Sequence, residues 1–112
     1  MQENLIIQTK LTELQETVLL ELHKTTNTSF IRKKLNIQPI TFTKAIQALS
    51  EKEMLLNGSL TDKGKKMVHY LEFRNETILA FLNKYNIQND NEIYNQLTKL
   101  DYKLIILFRN LI

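Results

Sequence analysis

Apolar residues recur at helical spacing along most of this chain. Ile7, Leu11, Leu14, Val18 and Leu22 fall four, three, four and four apart, and Leu19 and Leu20 widen the stripe. The pattern predicts a helix over about residues 3–23, ended by the polar run Lys24-Thr25-Thr26-Asn27. Asn27 or Thr28 suits the cap of a second, shorter helix in which Ile31 and Leu35 share a face. Ile37 lies in the turn that follows, and Pro39 fits the first turn of a third helix, where its missing N–H costs nothing. Phe42, Ala45, Ile46 and Leu49 give that helix one buried face, and its end falls near Lys52. Ile40, Thr41, Lys44 and Gln47 are left on the outer face. Residues 28–49 thus read as two helices around a tight turn. This is the order of a helix-turn-helix, whose second helix enters a DNA major groove. A plain helical hairpin is the alternative.

Two short apolar runs come next, Met54-Leu55-Leu56 and Ser59-Leu60-Thr61, separated by Asn57-Gly58. Asn-Gly between such runs predicts a two-residue type I′ hairpin, because both central residues need positive φ. A hairpin directly after a recognition helix is a wing, with Asn57, Gly58 and Ser59 at its tip; a plain turn between helices would not explain the apolar flanks. Thr61 can cap a helix over about 62–85, with Asp62 favourably placed in its first turn. Its inner stripe is Val68, Leu71, Asn75, Ile78 and Leu82, flanked by Met67, Leu79 and Phe81. After a polar linker, Ile93, Leu97, Leu100, Leu104, Leu107 and Leu111 repeat four, three, four, three, four apart, with Ile105, Phe108 and Ile112 beside them. This predicts one long helix over 90–112. So much apolar surface exceeds what a small core can cover, so the helix is expected to dimerise with a second copy, together with Ile7, Leu11 and Leu14 of the first helix. A single four-helix core without a dimer is the alternative.

The expected fold is mainly α with a small β-hairpin: a winged helix-turn-helix with N- and C-terminal dimerisation helices, in a single domain spanning 1–112. Its parts are an N-terminal helix (1–24), helix-turn-helix plus wing (28–61), a linker helix (62–85) and a C-terminal dimerisation helix (90–112).

Charge changes this picture more than composition does. The chain is only +3 overall, but residues 31–66 hold Arg32, Lys33, Lys34, Lys44, Lys52, Lys63, Lys65 and Lys66 against Glu51, Glu53 and Asp62. That segment is +5 and the remainder −2, so positive charge gathers around the candidate reading helix. A solvated lysine face would look similar. No cysteine is present, which excludes disulfides, cysteine-ligated zinc and cysteine nucleophiles and fits a reducing cytoplasm. No apolar run is long enough for a membrane span, and the first residues lack the form of a signal peptide.

From Leu60-Thr61-Asp62-Lys63-Gly64-Lys65-Lys66 onward the chain resembles the metal-dependent repressors of the DtxR/MntR family. The order helix-turn-helix, short wing, L-T-x-K-G-K-K, R-N-E-T-I-L-A-F-L and then I-Y-N-Q-L-T-K-L-D-Y carries the resemblance over roughly residues 13–104. P-I-T-F-T-K-A-I-Q-A-L resembles that family's recognition helix, while the L-T-x-x-G element is shared with MarR-like repressors. The resemblance implies a dimeric winged-helix DNA-binding repressor. It also implies a metal site that this chain departs from. Asn75 follows Arg74 where the family has a histidine ligand, and Thr98, Asp101 and Tyr102 stand where it has two glutamates and a histidine. Glu13 and Glu16 match the carboxylates of the first helix at best. With at most three oxygen ligands and no imidazole, no metal site and no cofactor are expected. The wing is several residues shorter than the family's. The picture is of a reduced relative whose DNA binding is constitutive or controlled by something other than a metal.

No phosphate-binding loop, nucleophile elbow or Ser-His-Asp arrangement is present, and the chain is not expected to be an enzyme. His69 with Glu72 and Glu76 reads as a solvated helix surface rather than a metal face. The expected function is sequence-specific binding of double-stranded DNA by a cytoplasmic homodimer that regulates transcription, as a repressor. Ile40, Thr41, Lys44 and Gln47 would meet base edges. Arg32, Lys33, Lys34, Thr43, Lys63, Lys65 and Lys66 would lie near phosphates. Two readings compete: a winged-helix protein–protein interaction module, such as a phage or plasmid antagonist, and a replication-initiator domain. Apolar or acidic groups on the outer face of 40–47 would favour the interaction module.

Overall fold

A computed structural model describes residues 9–88 and 91–112. The described residues form six helices and one two-stranded antiparallel sheet. No helix among them is long and apolar enough to cross a membrane. Contacts divide the chain into two compact units, Met1–His69 and Tyr70–Ile112, with the boundary inside one continuous helix.

The first described helix is α1 (Glu13–Lys24); residues 9–12 before it are not helical, and the part of the predicted helix before residue 9 lies outside the described residues. Thr12 stops the pattern from extending further back. Its hydroxyl accepts from the Gln15 amide at 3.2 Å, and the Gln15 side chain accepts from the Thr12 amide at 3.2 Å. This capping box satisfies two donors that a longer helix would not have exposed, and Glu13 and Glu16 in the first turn suit the macrodipole. Leu11 therefore precedes the helix instead of lying on its stripe, and Ile7 lies outside the described residues.

In α2 (Thr28–Leu35) Asn27 is the cap, accepting from the Phe30 amide at 3.0 Å. Asn36 then turns left-handed (φ 53°), and the Ile37 amide reaches back to the Arg32 carbonyl at 3.2 Å. That closure makes the turn tight, and asparagine tolerates the backbone better than most residues. Pro39 opens α3 (Pro39–Glu51), where Gln38 makes no side-chain cap and the proline removes one donor that would need one. Phe42, Ala45 and Leu49 are buried as the spacing predicts, while Ile46 is half-buried. α1 packs on both α2 and α3.

The hairpin forms where Asn57-Gly58 predicts it. β1 (Leu55–Leu56) pairs with β2 (Ser59–Leu60), Leu55 opposite Leu60 and Leu56 opposite Ser59. Asn57 (φ 53°) and Gly58 (φ 82°) both take positive φ, as a type I′ turn requires. At its root, Thr61 donates its hydroxyl to the Glu53 carbonyl at 2.6 Å and accepts from the Gly64 amide at 3.0 Å. The Thr61 amide in turn donates to the Met54 carbonyl at 3.1 Å. A side chain at Gly64 would overlap the Met54 carbonyl oxygen. Glycine is thus what lets α4 (Asp62–Lys84) start against the hairpin.

In the second unit, α4 ends at a left-handed Asn86 (φ 54°). The rest of the unit is α5 (Asn91–Thr98) and α6 (Tyr102–Leu111), two helices instead of the single one expected over 90–112. Lys99 and Leu100 bond back three residues to Gln96 and Leu97, which tightens and ends α5. Asp101 is extended (ψ 156°) and caps α6, its carboxylate accepting from the Lys103 amide at 2.8 Å. The core of this unit is Ile78, Leu82 and Ile105, with Phe73, Phe81, Ile93, Tyr94, Leu97 and Leu100 packed around it.

Candidate nucleic-acid interface

α3 presents the outer face that the spacing predicts. Ile40, Lys44 and Gln47 are exposed, Ile40 to 66%, whereas Thr41 is half-buried. Thr41 and Lys44 border a shallow groove whose other walls are Thr12, Leu14, Gln15 and Ala45. Sequence reasoning missed this neighbourhood. Leu14, which the spacing assigns to a dimer seam, lines this groove beside the outer face of α3, together with the α1 capping box. Only the Thr12–Gln15 spacing marks the cap in the sequence, and nothing local shows which helix it adjoins.

The basic residues divide into those with internal roles and those without. Lys34 Nζ lies 3.0 and 3.1 Å from the two carboxylate oxygens of Glu21, a residue only 8% exposed. Lys24 approaches the same carboxylate at 3.6 Å. A buried carboxylate without a partner is costly, so Lys34 serves to neutralise Glu21 and tie α2 to α1. The sequence alone does not reveal this engagement, and the Lys34 side chain remains 47% exposed. Lys52 is likewise engaged, donating to the Lys10 carbonyl at 2.7 Å and to Gln15 Oε1 at 2.8 Å. Arg32, Lys33, Lys44, Lys63, Lys65 and Lys66 have no ion-pair partner among the described residues. Thr43 is exposed, but its hydroxyl donates to the Pro39 carbonyl at 3.0 Å, so it can only accept from a ligand. Asn57, Gly58 and Ser59 are exposed at the hairpin tip.

The residues expected at a dimer interface also divide. Ile93, Leu97 and Leu100 are half-buried against their own unit's core, and Phe108 stacks on Phe81 with ring centroids 4.4 Å apart. Leu104, Leu107 and Leu111 remain exposed to 41%, 51% and 47%. The break at residues 99–101 produces this division, since it separates two groups of leucines that would share one stripe on a continuous helix.

The positions where the resemblance would put metal ligands have other tasks. Asn75 Oδ1 accepts two bonds from Arg74, at 3.1 and 2.9 Å. The Thr98 hydroxyl donates to the Asn95 carbonyl at 2.7 Å, Asp101 caps α6, and the Tyr102 ring lies 5.6 Å from that of Tyr70. Among the described residues no three His, Asp or Glu side chains come together as a metal-binding group. His23 and His69 meet edge to face with ring centroids 6.3 Å apart. No family model matches the chain, and no curated protein or solved structure shows significant similarity to it.

Proposed function

We propose that this chain is a homodimeric, sequence-specific DNA-binding regulator of the winged-helix kind, with α3 as its recognition helix and the β1–β2 hairpin as its wing. The observation that carries the proposal is the outer face of α3. Ile40, Lys44 and Gln47 project from it without protein partners, on a helix held by a tight turn before it and an Asn57-Gly58 hairpin after it. Lys44 and Gln47 supply the donors and acceptors that base edges in the major groove pair with. Arg32, Lys33, Lys63, Lys65 and Lys66 supply phosphate contacts that orient the protein without reading sequence. The exposed leucines of α6 supply the dimer contact, and a two-fold dimer implies a near-palindromic site. The DtxR/MntR-like motifs agree with a repressor, one without that family's metal switch.

A gel shift with sheared genomic DNA at moderate salt tests the proposal. Retarded complexes that disappear with added salt and with Lys44→Ala are the expected result. Folded, dimeric protein that shifts no fragment would refute it.

The exposed Leu104, Leu107 and Leu111 also favour a second reading, a protein–protein interaction module in which α6 docks on a foreign subunit. Under that reading the purified chain is monomeric and binds no DNA.

A further inference from the structure

On the premise that α3 is a recognition helix, we infer that Ile40 reads the C5 methyl group of a pyrimidine in the major groove, that of thymine or of 5-methylcytosine. Ile40 is the second residue of α3, directly after Pro39, whose ring fixes the backbone there. It is 66% exposed, and its neighbours on the outer face are polar: Thr41, half-buried beside the α1 groove, and the exposed Lys44 and Gln47. The first turn of a recognition helix is the part that reaches deepest towards base edges. An isoleucine placed there has no donor or acceptor to offer. Against a groove edge lined with N7, O6, O4 and amino groups it would strand those groups without partners, which carries a penalty. The pyrimidine C5 methyl is the one apolar feature that the major groove presents, and a branched side chain with few rotamers can pack on it without losing much entropy. Lys44, one helical turn further along, then has its ammonium free for an adjacent guanine edge.

The test begins with the duplex that the protein selects most strongly from a random pool. Each thymine in one half-site is replaced singly by 2′-deoxyuridine, which keeps every hydrogen bond and removes only the methyl. One replacement should weaken binding about four-fold, the equivalent of losing one buried methyl contact. The same replacement should leave Ile40→Ala unaffected, so that the two losses do not add. If the position is a cytosine in the selected duplex, 5-methylation should strengthen wild-type binding by a similar factor and leave the variant unchanged; this arm separates the two sources of the methyl. Ile40→Ala should keep the wild-type melting temperature, since the side chain lies in solvent. Tight binding that ignores every uracil and 5-methylcytosine, or an Ile40→Ala variant as methyl-sensitive as wild type, would overturn the inference and leave DNA binding standing. Failure to select any duplex would overturn both.

Discussion

Among the described residues up to His69 the large apolar side chains are buried or half-buried, with Phe30, Ile40 and Leu56 as the exposed exceptions. From Tyr70 onward the balance differs. The core cluster has three fully buried members, while Leu104, Leu107, Leu111 and Ile112 lie 41–51% exposed on or just after a single ten-residue helix. The first unit closes its polar accounts internally: a capping box on α1, an asparagine cap and left-handed turn on α2, and the Thr61 clasp under the hairpin. What it leaves outward is mostly polar and basic. The second leaves leucine outward, each half-exposed side chain forgoing roughly 1 kcal/mol of burial. The difference separates two kinds of interaction. The first unit has spare donors and positive charge, suited to a wet, anionic partner; the second has spare apolar area, suited to a protein surface.

That contrast can be broken at named residues. The largest effect is expected from Gly64→Ala, which drives a methyl into the Met54 carbonyl and should cost about 2–4 kcal/mol of stability in a denaturant melt. A wild-type midpoint would mean that the close approach of α4 to the hairpin is not what the glycine serves. Next, Leu107→Asp should leave the fold intact and weaken self-association by about 2 kcal/mol, some thirty-fold, in sedimentation or light scattering. A variant that loses helical content instead would show that Leu107 supports its own unit, not a partner.

Lys44 and Lys34 sharpen the same contrast within the first unit. Lys44→Ala should cost about 1–3 kcal/mol on a selected duplex, with stability unchanged. Lys34→Ala should do the reverse, lowering stability by about 1–2 kcal/mol because it leaves the Glu21 carboxylate only the more distant Lys24, at 3.6 Å, discounted for the exposed lysine end. Equal losses of DNA affinity in both would argue that Lys34 leaves Glu21 for a phosphate. The smallest effect belongs to Lys33→Ala, which should weaken all duplexes alike and reduce the salt slope of binding by about one.

Those pairs also show what was legible in the chain. Local signals located the elements from Asn27 to Thr61: an asparagine cap, a proline at the first turn and an Asn-Gly hairpin each act within a few residues. Apolar spacing failed at both ends. At Thr12 a reciprocal cap ends α1 although the stripe continues past it. At residues 99–101 the helix breaks while the leucine spacing runs on, so Leu97 and Leu104 look continuous although they face different surroundings. Asp101 marks the break locally as a capping residue, but an aspartate alone does not compete with so regular a stripe. The roles of Lys34 and Gly64 were not legible at all. One depends on a carboxylate 13 residues away, the other on the carbonyl of Met54, and both partners are set by packing. Of the candidate site, the outer face of α3 followed from periodicity, and its contact with the α1 cap did not.

The central claim is that a dimer of this chain reads duplex DNA through α3. Selection of bound DNA from a random pool by the wild-type protein, with its size measured under the same conditions, tests it most directly. The account predicts a dimer and an enriched, near-palindromic motif, its two half-sites about one helical turn or a multiple apart, lost on Lys44→Ala. A folded protein that returns the input pool unenriched would contradict it.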